Sequence, residues 1–185
     1  MAGDRLFVAF RTGNPELRRN SGELPIAPFK AGGALDLMIR ADPAADPARV
    51  RPATGDARLL VGRARGKPFA LLYRAVVPGT KAPVPFSLPW RTITPDRVDD
   101  VADGVQLAGQ GGDYELSIPL EALGLKPAPG RSIRADVGLL RGDGFQTLRR
   151  VYWNNKATGI TVDVPSEAML TPALWSRWRF AAPGD

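Results

Sequence analysis

Tryptophans that stand beside amide and guanidinium side chains are the residues of this sequence best suited to chemistry. Trp153 is followed by Asn154 and preceded by Arg150, and Trp90 stands next to Arg91. An indole ring stacks on the apolar C–H face of a sugar, while amide and guanidinium groups hydrogen-bond the sugar hydroxyls. We therefore take Trp90, Trp153, Asn154 and Arg150 as candidate ligand-binding residues.

Burial in the core is the competing interpretation for each tryptophan, because large aromatic side chains are on average well buried. Tyr152 and Trp153 are consecutive in a predicted strand, so their side chains point to opposite faces of a sheet. We expect one of the two in the core. Trp175 follows a predicted short helix, and we expect a structural role for it.

The chain has no His and no Cys among its 185 residues. The absence of His excludes Ser-His-Asp and Cys-His catalysis and zinc sites built on imidazole. The absence of Cys excludes disulfides, thiol nucleophiles and thiolate metal ligands. Two carboxylates could in principle cleave a glycoside, but no pair is singled out by its spacing. We expect no catalytic activity.

Calcium is the metal ion that the acidic residues of this sequence could bind, because it takes about six to eight oxygen ligands, often from loop carboxylates. The densest acidic patch consists of Asp96, Asp99, Asp100 and Asp103. Its spacing is not that of a regular calcium loop. Asp163 and Glu167 flank Pro165, and we expect them to cap a short helix or to pair with arginines.

The net charge is +6, from 25 basic and 19 acidic residues. The arginines are scattered and interleaved with Asp, and their tight doublets are Arg18-Arg19 and Arg149-Arg150. This pattern favours a solvated surface over a nucleic-acid interface. We expect no nucleic-acid partner, and no apolar window is long enough to predict a membrane span.

Short apolar runs separated by Gly and Pro predict many β-strands and few helices. The predicted strands cover residues 6–10, 34–39, 57–64, 69–77, 84–90, 98–107, 113–120, 133–139, 145–153 and 178–180. A long loop is predicted over 14–30, and Asp103-Gly104 interrupts the weak strand over 98–107. A helical turn over 119–125 closes at Gly124, and the segment from Pro165 to Trp175 holds a short helix that begins at Pro165, contains residues 166–170 and is ended by Pro172.

These elements predict an all-β, immunoglobulin-like two-sheet antiparallel sandwich with one or two short helical turns. We expect one domain over residues 1–185. The chain enters a strand directly after its first residues, which is typical of the edge of a module within a longer protein.

An ordered series of short motifs runs through the C-terminal half. The motifs are YELSIPL from Tyr114, LGL from Leu123, IRADVG from Ile133, YWNN from Tyr152, VDVPSEA from Val162, then Pro172 and Trp175. Upstream, FKAGGALDL from Phe29 fits the same pattern. Their order and spacing resemble the family 9 carbohydrate-binding-module-like superfamily, which is related to the DOMON domains, over nearly the whole chain.

The resemblance implies a non-catalytic accessory module of a larger secreted, periplasmic or cell-surface protein. It also implies sugar binding by stacked tryptophans and, in some members, a structural calcium. Members usually open with a Trp-rich strand, and this sequence is expected to start after it. If no other chain supplies that strand, one sheet would show an unprotected edge and could dimerise. The sugar and the oligomeric state stay open.

Two other functions are compatible with the sequence. The first is a structural or protein-interaction domain that binds no small ligand and packs against neighbouring domains of its parent chain. The second is a haem-binding electron-transfer domain, because some relatives bind haem through Met, and Met38 and Met169 are the internal methionines. Met is more often a core filler.

Overall fold

The computed structural model describes residues 3–13, 19–23, 25–42, 44, 46, 48–161 and 163–181. Strand accounts for 46% of the structure and helix for 9%, which makes the fold all-β. The strands are β1 (Arg5–Arg11), β2 (Arg19–Asn20), β3 (Ala34–Arg40), β4 (Asp56–Ala64), β5 (Lys67–Arg74), β6 (Phe86–Leu88), β7 (Arg91–Ile93), β8 (Arg97–Asp100), β9 (Gln106–Gln110), β10 (Asp113–Pro119), β11 (Ser132–Gly142), β12 (Thr147–Tyr152) and β13 (Ser176–Arg179). The helices are α1 (Leu120–Leu123) and α2 (Val164–Ala168), and single 3₁₀ turns cover Ala27–Phe29 and Pro172–Leu174.

Two antiparallel sheets of unequal width form the sandwich. The small sheet has the order β1-β10-β9, and the large sheet has the order β12-β11-β3-β4-β5-β8. Strand β13 also pairs with β11, β2 pairs in parallel with β4, and β6 and β7 form a separate hairpin. The prediction of an all-β antiparallel sandwich with short helical turns is confirmed. The prediction of one domain over residues 1–185 stays a prediction.

The core between the two sheets follows from the alternation of apolar residues along the strands. Tyr114, Leu116 and Ile118 of β10 are buried, as the sequence predicts. They pack with alternate residues of β1 and with the facing side of the large sheet, which contributes Leu35, Leu37, Ile39, Leu59, Val61, Leu72, Ile133 and Ala135.

The outer face of the large sheet is buried as well. The turn at Ala27–Phe29, the β6–β7 hairpin and α2 cover this face. The rings of Phe29, Tyr73 and Phe86 pack together, with centroids between 4.8 and 6.1 Å apart. This second layer explains why every residue of β3 is buried.

A charged cluster lies within this outer layer. Arg58 of β4 donates from Nε to both carboxylate oxygens of Asp36, at 3.0 and 3.1 Å, and from Nη2 to Asp36 Oδ2 at 2.5 Å. The Tyr152 hydroxyl donates to the same oxygen at 2.5 Å. Arg58 also donates to the backbone carbonyl of Glu167 and lies 4.6 Å from the ring centre of Phe29. The cluster therefore joins β3, β4, β12 and α2.

Gly138 is required for this cluster to form. It is the register partner of Tyr152 on one side and of Asp36 on the other. A Cβ atom at Gly138 would lie 2.3 Å from a ring carbon of Tyr152. The phenol ring therefore occupies the space above Gly138 and reaches across β11 to Asp36.

Three sequence expectations need correction. The predicted strand over 98–107 is two strands in different sheets, because the chain crosses between the sheets after Asp100. The short helix predicted to extend from Pro165 through Leu170 ends at Ala168, because the backbone of Met169 is extended. The predicted loop over 14–30 holds β2 and a 3₁₀ turn, although residues 14–18 and 24 lie outside the described residues.

The buried ion pair predicts a large effect for a single isosteric change. Asp36→Asn leaves the Arg58 guanidinium buried without its counter-charge, so we expect a loss of about 3–5 kcal/mol in the free energy of unfolding. Urea denaturation followed by circular dichroism measures it. The matched control is Glu23→Gln, which removes the exposed ion pair with Arg65 and should change stability by less than about 1 kcal/mol. Equal effects of the two variants would contradict the prediction.

Candidate functional site

Strand β12 divides its side chains between two environments. Tyr152 is 4% exposed and faces the outer layer, whereas Trp153, the next residue, is 77% exposed and lies on the opposite side. The prediction that one of these two aromatic residues belongs to the core is confirmed. Trp175 is buried beside Tyr152, Met38 and Leu170, which confirms its structural role.

A groove lies where the small sheet ends and the large sheet continues. The inner face of β11 and β12 extends past β1, and the space between them has a volume of about 600 Å³. Its size falls in the range of small-molecule sites. Its lining residues are Ala9, Phe10, Arg11, Thr12, Val137, Gly138, Leu139, Val151, Tyr152, Trp153 and Lys156. We call it the Trp153 groove.

The backbone around Trp153 is fixed although its indole is exposed. Its amide donates to the Val137 carbonyl at 2.8 Å. The Lys156 ammonium donates to the Tyr152 carbonyl at 3.0 Å and to the Trp153 carbonyl at 2.8 Å. The exposed ring therefore projects from a well-held strand end, which lowers the entropy that a ligand must remove on binding.

Asn154 stabilises the turn that follows β12. Its amide and that of Asn155 donate to the two carboxylate oxygens of Asp136, at 3.0 and 2.8 Å. The Asn154 side chain donates to the Leu174 carbonyl at 2.8 Å. Burial raises the pKa of Asp136, and these backbone amides limit the rise. The Asn154 side chain thus has a structural partner outside the groove.

Arg150 lies behind the sheet and not in the groove. It is buried on the face opposite Trp153 and donates to the Ile160 carbonyl at 2.8 Å and to the Glu167 carbonyl at 3.4 Å. It lines a separate cavity of about 110 Å³ with Arg58, Asn155 and Glu167.

Trp90 stands at the tip of the β6–β7 hairpin and is 71% exposed. Its indole N–H donates to Asp163 at 3.3 Å, and Arg91 donates to Ser166 at 2.8 Å, so the tip is attached to the start of α2. None of these residues lines the Trp153 groove. Of the four sequence-predicted site residues, Trp153 alone reaches the groove, and the four side chains do not form one constellation.

Glu167 is the least compensated charged group of the outer layer. Its side chain is 0% exposed, and neither carboxylate oxygen has a hydrogen-bond partner. Arg58 and Arg150 both donate to its backbone carbonyl instead of its carboxylate. Burial raises the pKa of Glu167 to about 7, and the positive charges of Arg150 and Arg58 limit the rise.

The helix-cap expectation applies to Asp163 but not to Glu167. Asp163 Oδ1 accepts from the Ser166 amide at 3.4 Å, and Oδ2 accepts from the Ser166 hydroxyl at 2.7 Å. The Glu167 side chain neither caps α2 nor makes an ion pair within the described residues.

Three of the four carboxylates of the acidic patch serve different partners, an arrangement that does not suit a shared calcium ion. Asp96 accepts from the Val77 amide, Asp99 pairs with Arg74 and Arg97, and Asp100 accepts from the Ala102 amide. No group of three or more acidic side chains suited to a metal ion occurs in the described ranges.

The methionines do not fit haem. Met38 and Met169 both line the cavity that also contains Arg150. Its volume of about 110 Å³ is well below the roughly 300–1,000 Å³ range of small-molecule and cofactor sites. Within the part of the chain that the structure describes, no helix has the length and apolar character needed to cross a membrane.

Comparison of the chain with family models, with curated proteins and with solved structures found no match. The resemblance to the family 9 carbohydrate-binding-module-like superfamily therefore stays a prediction from the sequence.

The orphaned carboxylate predicts a decrease of stability with rising pH. Glu167 has a pKa of about 7 in the folded protein against 4.5 ordinarily, so the folded state holds the proton more tightly than the unfolded chain. The contribution of Glu167 to the free energy of unfolding is favourable below about pH 4.5 and is lost as the pH rises to about 7. As the pH rises from about 5 to 8, the free energy of unfolding of Glu167→Gln should therefore increase by about 2–3 kcal/mol relative to that of the wild type.

Urea unfolding at several pH values measures this difference. Glu121→Gln on α1 replaces an exposed glutamate and is the matched control. Its free energy of unfolding should change with pH in parallel with that of the wild type. Curves for Glu167→Gln and wild type that stay parallel from about pH 5 to pH 8 would show that Glu167 is not the responsible group.

Proposed function

We propose that this protein is a non-catalytic carbohydrate-binding module that holds sugar in the Trp153 groove. The observation that carries the proposal is the indole of Trp153, which is 77% exposed on a rigid strand end beside a groove of about 600 Å³. Large exposed aromatic side chains next to a concave apolar surface mark ligand sites. We further propose that the module belongs to a larger exported protein, as the sequence resemblance implies.

The lining of the groove suits a sugar ring. Trp153, Val151 and Leu139 offer apolar surface to the C–H face of a pyranose. Arg11, whose exposed guanidinium lies 3.7 Å from Asp113, and the N–H of Lys156 that is left after its two backbone contacts supply donors for hydroxyl or carboxylate oxygens. Stacking gives affinity, and the polar groups fix the orientation of the ring.

The charges at the groove support binding without catalysis. Its ionisable lining residues other than Tyr152 are the two basic residues Arg11 and Lys156, and no carboxylate lines it. Hydrolysis of a glycoside requires an acid and a second carboxylate on either side of the bond. The proposed module therefore holds its ligand and leaves it unchanged.

An extended peptide is the second candidate ligand, because an open strand edge borders the groove. Among the described residues, β1 pairs with β10 on one side and has no strand on the other. An exposed edge beside apolar side chains is suited to the addition of a strand from a partner.

Two exposed tryptophans allow a matched test. Trp153→Ala should weaken sugar binding by about 5- to 30-fold, as expected for an aromatic stacking contact that contributes on the order of 1–2 kcal/mol. Trp90→Ala removes an indole of similar exposure outside the groove and should bind like the wild type. Isothermal titration calorimetry and glycan arrays measure affinity, and circular dichroism checks the fold.

The panel contains neutral and acidic polysaccharides together with their oligosaccharides. Equal losses in the two tryptophan variants would place the site elsewhere. A folded wild-type protein that binds no member of the panel would overturn the proposal and favour the peptide.

A further inference from the structure

Two arginines face each other across the β11–β12 hairpin. Arg141 and Arg149 are register partners, and both are exposed. Like charges directly opposite each other in a sheet are destabilising. Neither guanidinium forms an ion pair with an acidic residue within the described ranges. We call Arg141 and Arg149 the arginine pair.

The arginine pair lies on the same face of the sheet as the Trp153 groove. Residues 149, 151 and 153 alternate along the chain and share one face of β12, as do 137, 139 and 141 of β11. Register pairing of Leu139 with Val151 places the two sets side by side. Arg149 and Trp153 are four residues apart, which is about 13 Å along an extended strand.

These side chains therefore form one continuous strip. It runs from the indole of Trp153, over the apolar side chains of Val151 and Leu139, to the arginine pair. Arg11 and Lys156 stand at its Trp153 end. No acidic side chain lines the groove, and the whole chain carries a net charge of +6.

We propose that the ligand of this strip is an acidic polysaccharide, in which one sugar ring stacks on Trp153 and a carboxylate or sulfate further along binds the arginine pair. This inference rests on the proposed carbohydrate-binding function and specifies the class of sugar. A guanidinium presents two parallel N–H donors that match a carboxylate or sulfate. An anion between the two guanidinium groups also removes their mutual repulsion.

The span of the strip requires a polymer. A single sugar ring does not extend over the roughly 13 Å between the strand positions of Trp153 and Arg149. Nucleic acid is the less favoured polyanion, because a single-strand site needs a basic groove with successive aromatic platforms, whereas this strip has one indole. Single-stranded DNA is therefore a competitor in the test.

The test compares two double variants with the same change in net charge. Arg141→Gln/Arg149→Gln removes the arginine pair. Arg51→Gln/Arg131→Gln removes two exposed arginines, Arg51 from the loop before β4 and Arg131 from the residue before β11, far along that strand from Arg141. Binding is measured by calorimetry and affinity electrophoresis to polygalacturonate, a sulfated polysaccharide, a neutral β-glucan and single-stranded DNA.

We expect the wild type to bind an acidic polymer at least about 10-fold more tightly than the neutral one. Removing the arginine pair should abolish this preference, and the Arg51/Arg131 double variant should retain it. Affinity for the acidic polymer should fall as salt rises from about 50 to 500 mM, with a shallower slope in the variant without the arginine pair. That variant should be at least as stable to urea as the wild type.

The outcomes separate this inference from the proposed function. If the wild type binds neutral and acidic polymers with equal affinity and Trp153→Ala loses binding to both, the acidic ligand is overturned. The proposal of a carbohydrate-binding module then still stands. Equal losses in the two arginine variants, or tighter binding of DNA than of any sugar, overturn the acidic ligand as a non-specific charge effect. The absence of binding to every polymer overturns both.

Discussion

The buried guanidinium of Arg58 is the constraint that orders the outer half of this structure. A fully buried positive charge is tolerated only where a counter-charge and hydrogen-bond acceptors surround it. Asp36 supplies the charge, and the Tyr152 hydroxyl and the Glu167 carbonyl complete the shell. Because these groups come from two central strands, an edge strand and a helix, the cluster fixes the position of α2 against the large sheet.

The same cluster determines which side chains reach the groove. Tyr152 must face the outer layer to reach Asp36, and this fixes which residues of β12 point to each face of the sheet. Arg149, Val151 and Trp153 therefore point to the inner face, and a register slip of one residue would exchange the two sets. Gly138 makes the arrangement possible, since any larger residue would occupy the place of the Tyr152 ring. The strip proposed to bind the ligand is therefore held in register by an interaction on the opposite face of the sheet.

Local patterns in the sequence are sufficient for much of the fold. Alternation predicts β10 and β11, and Gly124 closes α1 in the left-handed conformation at φ 66°. The sequence also predicts that Tyr152 and Trp153 separate. It does not predict that Arg58 pairs with Asp36 or that Trp90 attaches to α2, because these contacts join residues 22 and 73 positions apart. The prediction that Trp90 and Trp153 belong to one site was based on residue type alone. Residue type does not indicate where a residue lies in the folded chain.

The groove itself follows from the unequal widths of the two sheets. Three strands cannot cover a sheet whose hydrogen-bonded path has six, so one side of the large sheet must remain open or find another cover. On the outer face, α2 and the β6–β7 hairpin provide that cover, and apolar residues such as Phe86 and Val164 are buried there. On the inner face of β11 and β12 no described element does so, and the residues change accordingly to a mixture of apolar and basic side chains. A surface that existed only for packing would bury Trp153 and separate Arg141 from Arg149. Like charges opposite each other weaken a sheet, and an exposed indole leaves apolar surface in water. The acidic polysaccharide proposed above would offset both.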